Sequence, residues 1–494
     1  MSASYLIGLD AGTTSIKGLL ISSNGSHETF AQKEYSLEYS DGEIVELDPE
    51  IYWETTKHII NQLLKRSGIG PEKIRAISFS SQGETLIALD EEGKALRKAI
   101  IWLDNRSGKE ALTIEKSFSR QTLLELTGQP EMLPLWPATR ILWIRENEPE
   151  VFKKASKFVL VEDYLIYRLT GEYYAEESLV SSTLYFNIQK KCWWKEMLDF
   201  LGITEQKLPE VLPSGTPAGR IREEAALATG LSTDTMVITG GYDHVAGAIG
   251  SGNISEGIVS ETTGASMAMA VTIDLPVLDM DLNLPCQCHA VPGKYILQPY
   301  GQTAGMVLRW FRDEFFSGGS YDLMTSLAAK VPSGAEGLIM LPHLMGAGSP
   351  EFDTQVKGVF AGIIPQMGKG HFVRAIMESV ACMINRNIDS LKKQGIEPAE
   401  IRALGGGAES ELWNRIKADM TGIPFLTLQS KETPCLGAAI LAGIGSGIYK
   451  DFEGGCNQLV RFKNRYEPDR SQHDLYQKVF KKYIMLYDQL KGYW

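Results

Sequence analysis

The sequence predicts a mixed α/β protein of two domains, and three observations carry that prediction. Its 494 residues exceed what one hydrophobic core usually organises, so two domains of about 250 residues each are expected. Short apolar runs ending in glycine- or hydroxyl-rich turns alternate with longer segments of helical period. The design strand, small hydroxyl-bearing turn, strand occurs near the start and again past the middle, which suggests two halves of related fold.

Tyr5 to Leu9 is an apolar run ending in Asp10, and Gly18 to Ile21 is its partner, so Asp10 to Ser15 reads as the tip of a hairpin. A helix then starts at Asp48 or Pro49, with Ile51, Ile59, Ile60, Leu63 and Leu64 as its apolar stripe. The segment from Ile74 reads as strand, polar turn, strand and reverse turn. Further on, an apolar strand runs into Gly240 and Gly241 and presents Asp243 just before a helix of small residues. The next strand pair surrounds the turn Thr262 to Ser266. The domain boundary is placed near Gly247 to Ser255, giving domains of 1–248 and 249–494. The second half continues with an amphipathic helix after Tyr300, a strand and a long glycine-punctuated loop, and a buried helix from His371. A strand, triple-glycine turn and helix follow near Gly405 to Gly407, and a charged amphipathic helix closes the chain on the surface.

A hydrophobic content of 44% with 22% charged residues and 48 glycines describes a globular chain rich in tight turns. The net charge of -12 gives no general attraction to nucleic acid or anionic lipid, so neither is expected as a partner. The start has no basic region before an apolar run, and no uninterrupted apolar stretch of about 18 residues occurs, so a cytoplasmic protein is expected. Six scattered cysteines fit a reducing compartment. Cys286 and Cys288, beside His289, lack further ligands at metal-binding spacing and are expected to be buried thiols.

Asp10 at a strand end, followed by Gly12, Thr13, Thr14 and Lys17, combines a carboxylate with backbone and hydroxyl donors. Phosphate with Mg²⁺ needs that combination, although an ordinary hairpin has the same residues. No GxxxxGK[ST] pattern occurs, which excludes a P-loop. The turn Leu404 to Ser410 lets backbone approach a nucleotide, or is a plain connection. Gly443 to Gly447 reads as a helix terminator. Asp243, beside glycines that leave room for a ligand, can take a hydroxyl proton during phosphoryl transfer, or can cap the helix after it.

Four blocks together resemble the FGGY carbohydrate kinases: DAGTTSIKG, GGYDHVAGAIG, Gly358 to Ser379 with its helix ending in Glu378, and GGGAESELWNRIKADMTG. The resemblance runs from about Tyr5 to about Tyr449 and implies a two-domain actin-like ATPase (ribonuclease H-like) fold with an interdomain cleft. It implies ATP-dependent phosphorylation of a small ketose or polyol, with ATP and Mg²⁺ as cofactors and a homodimer as one assembly. Asp243 becomes the general base and Asp10 the holder of Mg²⁺ through water. Gly12, Thr13, Thr14 and Lys17 line the phosphate side, while Gly264, Ala265, Gly305, Arg309, Gly407 and Glu411 fall on nucleotide positions. The second phosphate turn departs from the family pattern: Ala265 stands where a hydroxyl residue is usual, and Thr262, Thr263 or Ser266 are candidates to replace it.

For the substrate, the resemblance points to Gln82, Gly83 and Glu84, where xylulokinases have Gln-Met-His and glycerol kinases Gln-Arg-Glu-Thr. Gly83 in place of Arg is expected to free volume for a substrate longer than glycerol. Trp102, Asp104, Asp243 and His244 complete the expected sugar contacts, with Arg106 beside Asp104; the alternatives are Trp102 as core, Asp104 with Arg106 as a surface pair, and His244 as packing only. The other motifs sit closest to the xylulokinase-like group. A glycerol- or erythritol-type polyol kinase, a gluconokinase, and a non-catalytic actin-like ATPase or sugar sensor are the rivals.

Overall fold

The computed structural model describes residues 4–40, 42–316 and 319–494. The first lobe holds β1 (Tyr5–Ala11), β2 (Ser15–Ser22), β3 (Glu28–Glu34), α1 (Pro49–Ser67), β4 (Ile74–Ser81), β5 (Pro217–Arg220), β6 (Met236–Ile238) and β7 (Gly241–Tyr242). Its sheet runs β5-β6-β4-β1-β2-β3, with β7 also pairing β4. Helix α2 (Asp243–Gly250) leads from this lobe to the next.

The second lobe contains β8 (Ile258–Thr263), β9 (Met267–Ile273), β10 (Cys286–Cys288), β11 (Tyr295–Leu297) and β12 (Tyr300–Gly301). Helices α3 (Gly305–Phe315) and α4 (Lys369–Lys393), strand β13 (Glu400–Leu404), α5 (Glu411–Thr421) and β14 (Phe425–Leu428) follow. The chain ends with α6 (Thr433–Gly445), β15 (Phe462–Tyr466) and α7 (Arg470–Leu490). The sheet order is β10-β11-β9-β8-β13-β14-β15, with β12 on β9. In each lobe an antiparallel hairpin is joined on one side by an antiparallel strand and on the other by a parallel one, β4 on β1 and β13 on β8. The repeated turn chemistry thus reflects a repeated strand path.

Alternation along β1 explains its nearly unbroken apolar run. Ile7 and Leu9 pack toward Ile59, Ile60 and Leu63 of α1, while Leu6 packs on the opposite face with Cys435, Ala439 and Ile440 of α6. Helix α1 begins as the sequence indicates, with Asp48 accepting the Glu50 N–H at 2.9 Å and Pro49 in the first turn. It ends at Gly68, whose φ of 66° requires the left-handed region.

Helix α6 was legible only as a helix, not as a cover for the first sheet. A Cβ at Gly8 would lie 2.0 Å from the Cys435 carbonyl oxygen, so β1 and α6 meet backbone to backbone. The crossing of α2 and α6 is as close: a Cβ on Gly437 would lie 1.9 Å from the Ala246 oxygen, and one on Gly250 1.9 Å from the Thr433 oxygen.

Three details differ from, or refine, the sequence reading. Helix α4 does not end at Glu378 but runs on to Lys393, because Val380, Ile384, Ile388 and Leu391 continue its buried stripe. Glu378 lies within it, bonded to Arg374 at 2.8 Å and to the Gly334 N–H at 2.9 Å. Helix α7 is the amphipathic surface helix expected, packed through Tyr476, Val479, Phe480 and Tyr483. Cys286 and Cys288 are buried. Among the described residues no helix is long and apolar enough to cross a membrane.

Candidate active site

Three parallel neighbours bring the distant motifs together. Asp10 of β1 pairs in register with Ser80 of β4, and Gly241 and Tyr242 of β7 pair with Ser80 and Ser81. Asp10, the turn after Ser81 and Asp243 therefore all leave the carboxyl ends of adjacent strands, where open α/β sheets form ligand crevices. Asp10 Oδ1 accepts the Ser80 hydroxyl at 2.7 Å. Burial pushes the Asp10 carboxyl up to about 6; the Ser80 hydrogen bond opposes the shift and the Asp243 charge adds to it.

The first turn is tied down from below. Gly12 donates to the Ser15 oxygen at 3.0 Å, and its carbonyl accepts from Tyr35 Oη and from Gln82 Nε2. Thr13 Oγ1 accepts the Trp102 indole N–H at 2.8 Å, which brings Trp102 beside the turn, and Thr14 is exposed. Lys17 is bonded to Glu432 at 2.7 Å, so a phosphate at this turn competes with a carboxylate for its ammonium.

Two expected sugar contacts are corrected by the fold. Gln82 is 3% exposed, and its amide is engaged by the Gly12 carbonyl, Tyr52 Oη and Thr85 Oγ1, so it braces the turn. Asp104 is fully buried, holding the Val45 N–H at 2.6 Å and the Arg106 Nη2 at 2.7 Å. Neither carboxyl oxygen of Asp104 faces a ligand, and Arg106 also reaches Glu46 at 2.8 Å. The volume expected beside Gly83 is not free either. A Cβ there would lie 2.8 Å from Tyr242 Cε2 and 2.9 Å from Ser182 Oγ.

Glu84 does stand at the strand ends, with φ of 58°, a backbone conformation that costs about 1–3 kcal/mol for a residue with a side chain. Burial pushes its carboxyl up to about 8; Asp243 adds to the shift, and Arg140 and Ser182 oppose it. Arg140 is wholly buried and holds the Glu84 carbonyl, with Nη2 donating to the Ile101 oxygen at 2.8 Å. Sequence reading missed Arg140, since its segment looks like any helix of the core.

Asp243 opens α2; Tyr242, not Asp243, is the capping residue. Its Oδ1 accepts the His244 N–H at 2.6 Å, and its side chain is 36% exposed, beside the more open His244 ring. The segment before it is pinned by buried acids. Glu162 Oε1 accepts the Gly240 N–H at 2.7 Å. Ser178 Oγ accepts the Tyr242 N–H at 3.0 Å and donates to Glu176 Oε1 at 2.8 Å. Gly240 is required there, because a Cβ would sit 1.9 Å from the Phe79 oxygen.

On the second lobe a cavity of about 520 Å³ brings together Gly264, Ala265, Gly305, Arg309, Gly407 and Glu411, with Met306, Met377 and Trp413 as apolar wall. Gly305 donates to the Gly264 oxygen at 2.9 Å, and a Cβ on it would lie 2.4 Å from that oxygen, so the turn and α3 touch through backbone alone. Of the candidates to replace the missing hydroxyl at Ala265, Thr263 is engaged: Lys417 Nζ donates to its Oγ1 at 2.7 Å. Thr262, next to last in β8, and Ser266 on the turn are exposed. Among the described residues no cluster of three metal-ligating side chains occurs.

The family models for the FGGY family of carbohydrate kinases match this chain twice, the N-terminal domain over residues 5–250 and the C-terminal domain over 275–446. A xylulose kinase of Staphylococcus epidermidis is 31% identical over 491 residues, covering 99% of this chain and 98% of that protein. A gluconokinase of Bacillus subtilis is 31% identical over 499 residues, covering 98% and 95%. The solved structure of a ligand-bound xylulose kinase from Lactobacillus acidophilus superposes with a TM-score of 0.91 at 28% identity, over 99% of this chain and 98% of that one. With both domains matched in order and a hairpin turn at the equivalent sheet end of each lobe, the chain belongs to the FGGY family of carbohydrate kinases and has their two-lobed actin-like α/β fold.

Proposed function

We propose that this kinase moves the γ-phosphate of ATP onto a hydroxyl of a small neutral ketose or polyol, with Asp243 as general base. The observation that carries the reading is the convergence of Asp10, Glu84 and Asp243 at neighbouring strand ends of the first lobe. The sugar lies on the first lobe (residues 1–248) and the nucleotide on the second (residues 249–494). Asp243 accepts the hydroxyl proton as the new O–P bond forms and the bond from the γ-phosphorus to ADP breaks. Closing the lobes excludes water, a competing acceptor.

Asp10 suits a divalent cation. Its carboxyl is held up by burial and by the Asp243 charge, which a cation such as Mg²⁺ would relieve. When bound, the ion would neutralise charge on the phosphoryl group. Thr262 and Ser266 supply the hydroxyls of the second turn in place of Ala265.

A neutral substrate is favoured over an aldonate. An aldonate would bring a negative charge beside the Asp243 carboxylate, and Arg140, the cation acting on Glu84, is turned to backbone carbonyls. Glu84, protonated at neutral pH, can both donate to and accept from sugar hydroxyls.

ADP release measured across xylulose, ribulose, erythritol, glycerol and gluconate tests the reading. Stimulation by a neutral member is expected, and stimulation by none of the five defeats it. Asp243→Ala should lower turnover about 10²–10⁴-fold with ATP binding retained; undiminished turnover removes Asp243 from its role.

A further inference from the structure

Gly83 contributes no side chain to the sugar wall, and the fold fills the place from another strand. The ring of Tyr242 stands 2.8 Å from where a Cβ at 83 would be, so it occupies the volume that any larger residue there would claim. Its backbone is fixed by the Ser178 hydroxyl at 3.0 Å and by pairing with Ser81. The ring meets that of His244 edge-on at 5.3 Å. Tyr242 is only 9% exposed, and its hydroxyl, on which the Glu84 and Asp243 charges act, bonds no described residue. Burial, with the charges of Glu84 and Asp243, pushes the phenol well above its ordinary range and keeps it a donor.

We propose that Tyr242 is a specificity-determining residue of the sugar subsite: its ring sets the depth of the wall at Gly83, and its hydroxyl donates a hydrogen bond to one hydroxyl of the neutral substrate. This rests on the kinase reading above and adds to it a residue that reads the acceptor. A buried wall with a single unengaged donor rejects an analogue lacking the matching hydroxyl, because the donor is then left unpaired.

The test is steady-state kinetics of the wild type and Tyr242→Phe with the best neutral substrate of the panel and its monodeoxy analogues. Phe keeps the ring and the wall, so folding is preserved. Tyr242→Phe is expected to raise KM for the parent sugar about tenfold, with kcat within about twofold and KM for ATP unchanged. One deoxy analogue should bind poorly to the wild type and no worse to Tyr242→Phe, which identifies the hydroxyl read. A second variant, Tyr242→Ala, should improve kcat/KM for a substrate one carbon longer relative to the parent. An active wild type with Tyr242→Phe unchanged in KM, or lowered in kcat alone, overturns the role of Tyr242 and leaves the kinase reading standing. A wild type that phosphorylates none of the panel overturns both.

Discussion

Lys417 Nζ lies 2.7 Å from Glu261 Oε2, and both side chains are completely buried beneath the Gly264 turn. Lys417 also donates to Thr263 Oγ1 at 2.7 Å, and Thr263 in turn contacts Glu261. A residue of α5 thus holds the end of β8 just before Gly264 bends away toward the cavity. Removing one member of such a pair leaves an uncompensated buried charge, whereas replacing both with apolar groups can be neutral. Lys417→Met should therefore cost about 3–5 kcal/mol in urea unfolding and raise KM for ATP. The double variant Lys417→Met, Glu261→Leu should recover most of the stability. A single variant as stable as the parent would show that the pair is not a clamp.

At the α2–α6 crossing the usual preference of helices for alanine should be reversed. In an exposed helix Gly→Ala gains about 1 kcal/mol. Here the new methyl of Gly437→Ala would lie 1.9 Å from the Ala246 oxygen, which demands that the helices separate. A loss of about 1–3 kcal/mol or more is expected, read as a lowered Tm. Turnover should fall too, because α2 carries Asp243 at its first residue.

The Glu84 carboxyl gives a pH dependence of defined sign. Its folded value is raised from 4.5 to about 8, so the folded chain holds a proton that the unfolded chain releases, and stability from this group falls as pH rises from 4.5 toward 8. Binding follows the same direction: KM for the sugar should rise as pH passes through about 8 and the donor is lost. Glu84→Gln, a permanent neutral donor, should flatten that limb in a KM-against-pH profile, and Glu84→Ala should bind sugar poorly at every pH. A limb unchanged in Glu84→Gln would assign it to another group.

The turn at Ala265 offers a direct comparison of hydroxyls. Ser266→Ala and Thr262→Val should each raise KM for ATP about 5- to 12-fold, since a phosphate hydrogen bond is worth about 1–1.5 kcal/mol. Thr263→Val should instead lower stability, since its hydroxyl is held by Lys417 and Glu261. Ala265→Thr should lower KM for ATP if its side chain reaches the same phosphate.

Much of the frame was legible because its causes are local. The Asp10 hairpin, the Asp48 cap of α1, the small-residue helix after Asp243 and the glycine turn before α5 follow from alternation, capping and turn chemistry within a few residues. The family resemblance also indicated which residues gather at the cavity of the second lobe. Misreadings arose where a side chain's partner lies far along the chain. Asp104 looked available because nothing nearby reveals Val45, and Gln82 because nothing nearby reveals Tyr52. Gly83 looked like open space because Tyr242 fills it from a strand more than a hundred residues away.

The sequence by itself determined the family, the lobed α/β plan, the two hairpin turns and the position of the carboxylates, since periodicity and short motifs encode backbone path and chemical type. Only the tertiary structure decided which polar groups are left over for a substrate. Hydrogen bonding and burial are settled by neighbours brought in from distant strands and helices: Arg140 under Glu84, Glu162 behind Gly240, α6 against β1. A polar atom becomes a reader of ligand when the fold has given it no other partner, and that is a property of the assembled neighbourhood rather than of any segment.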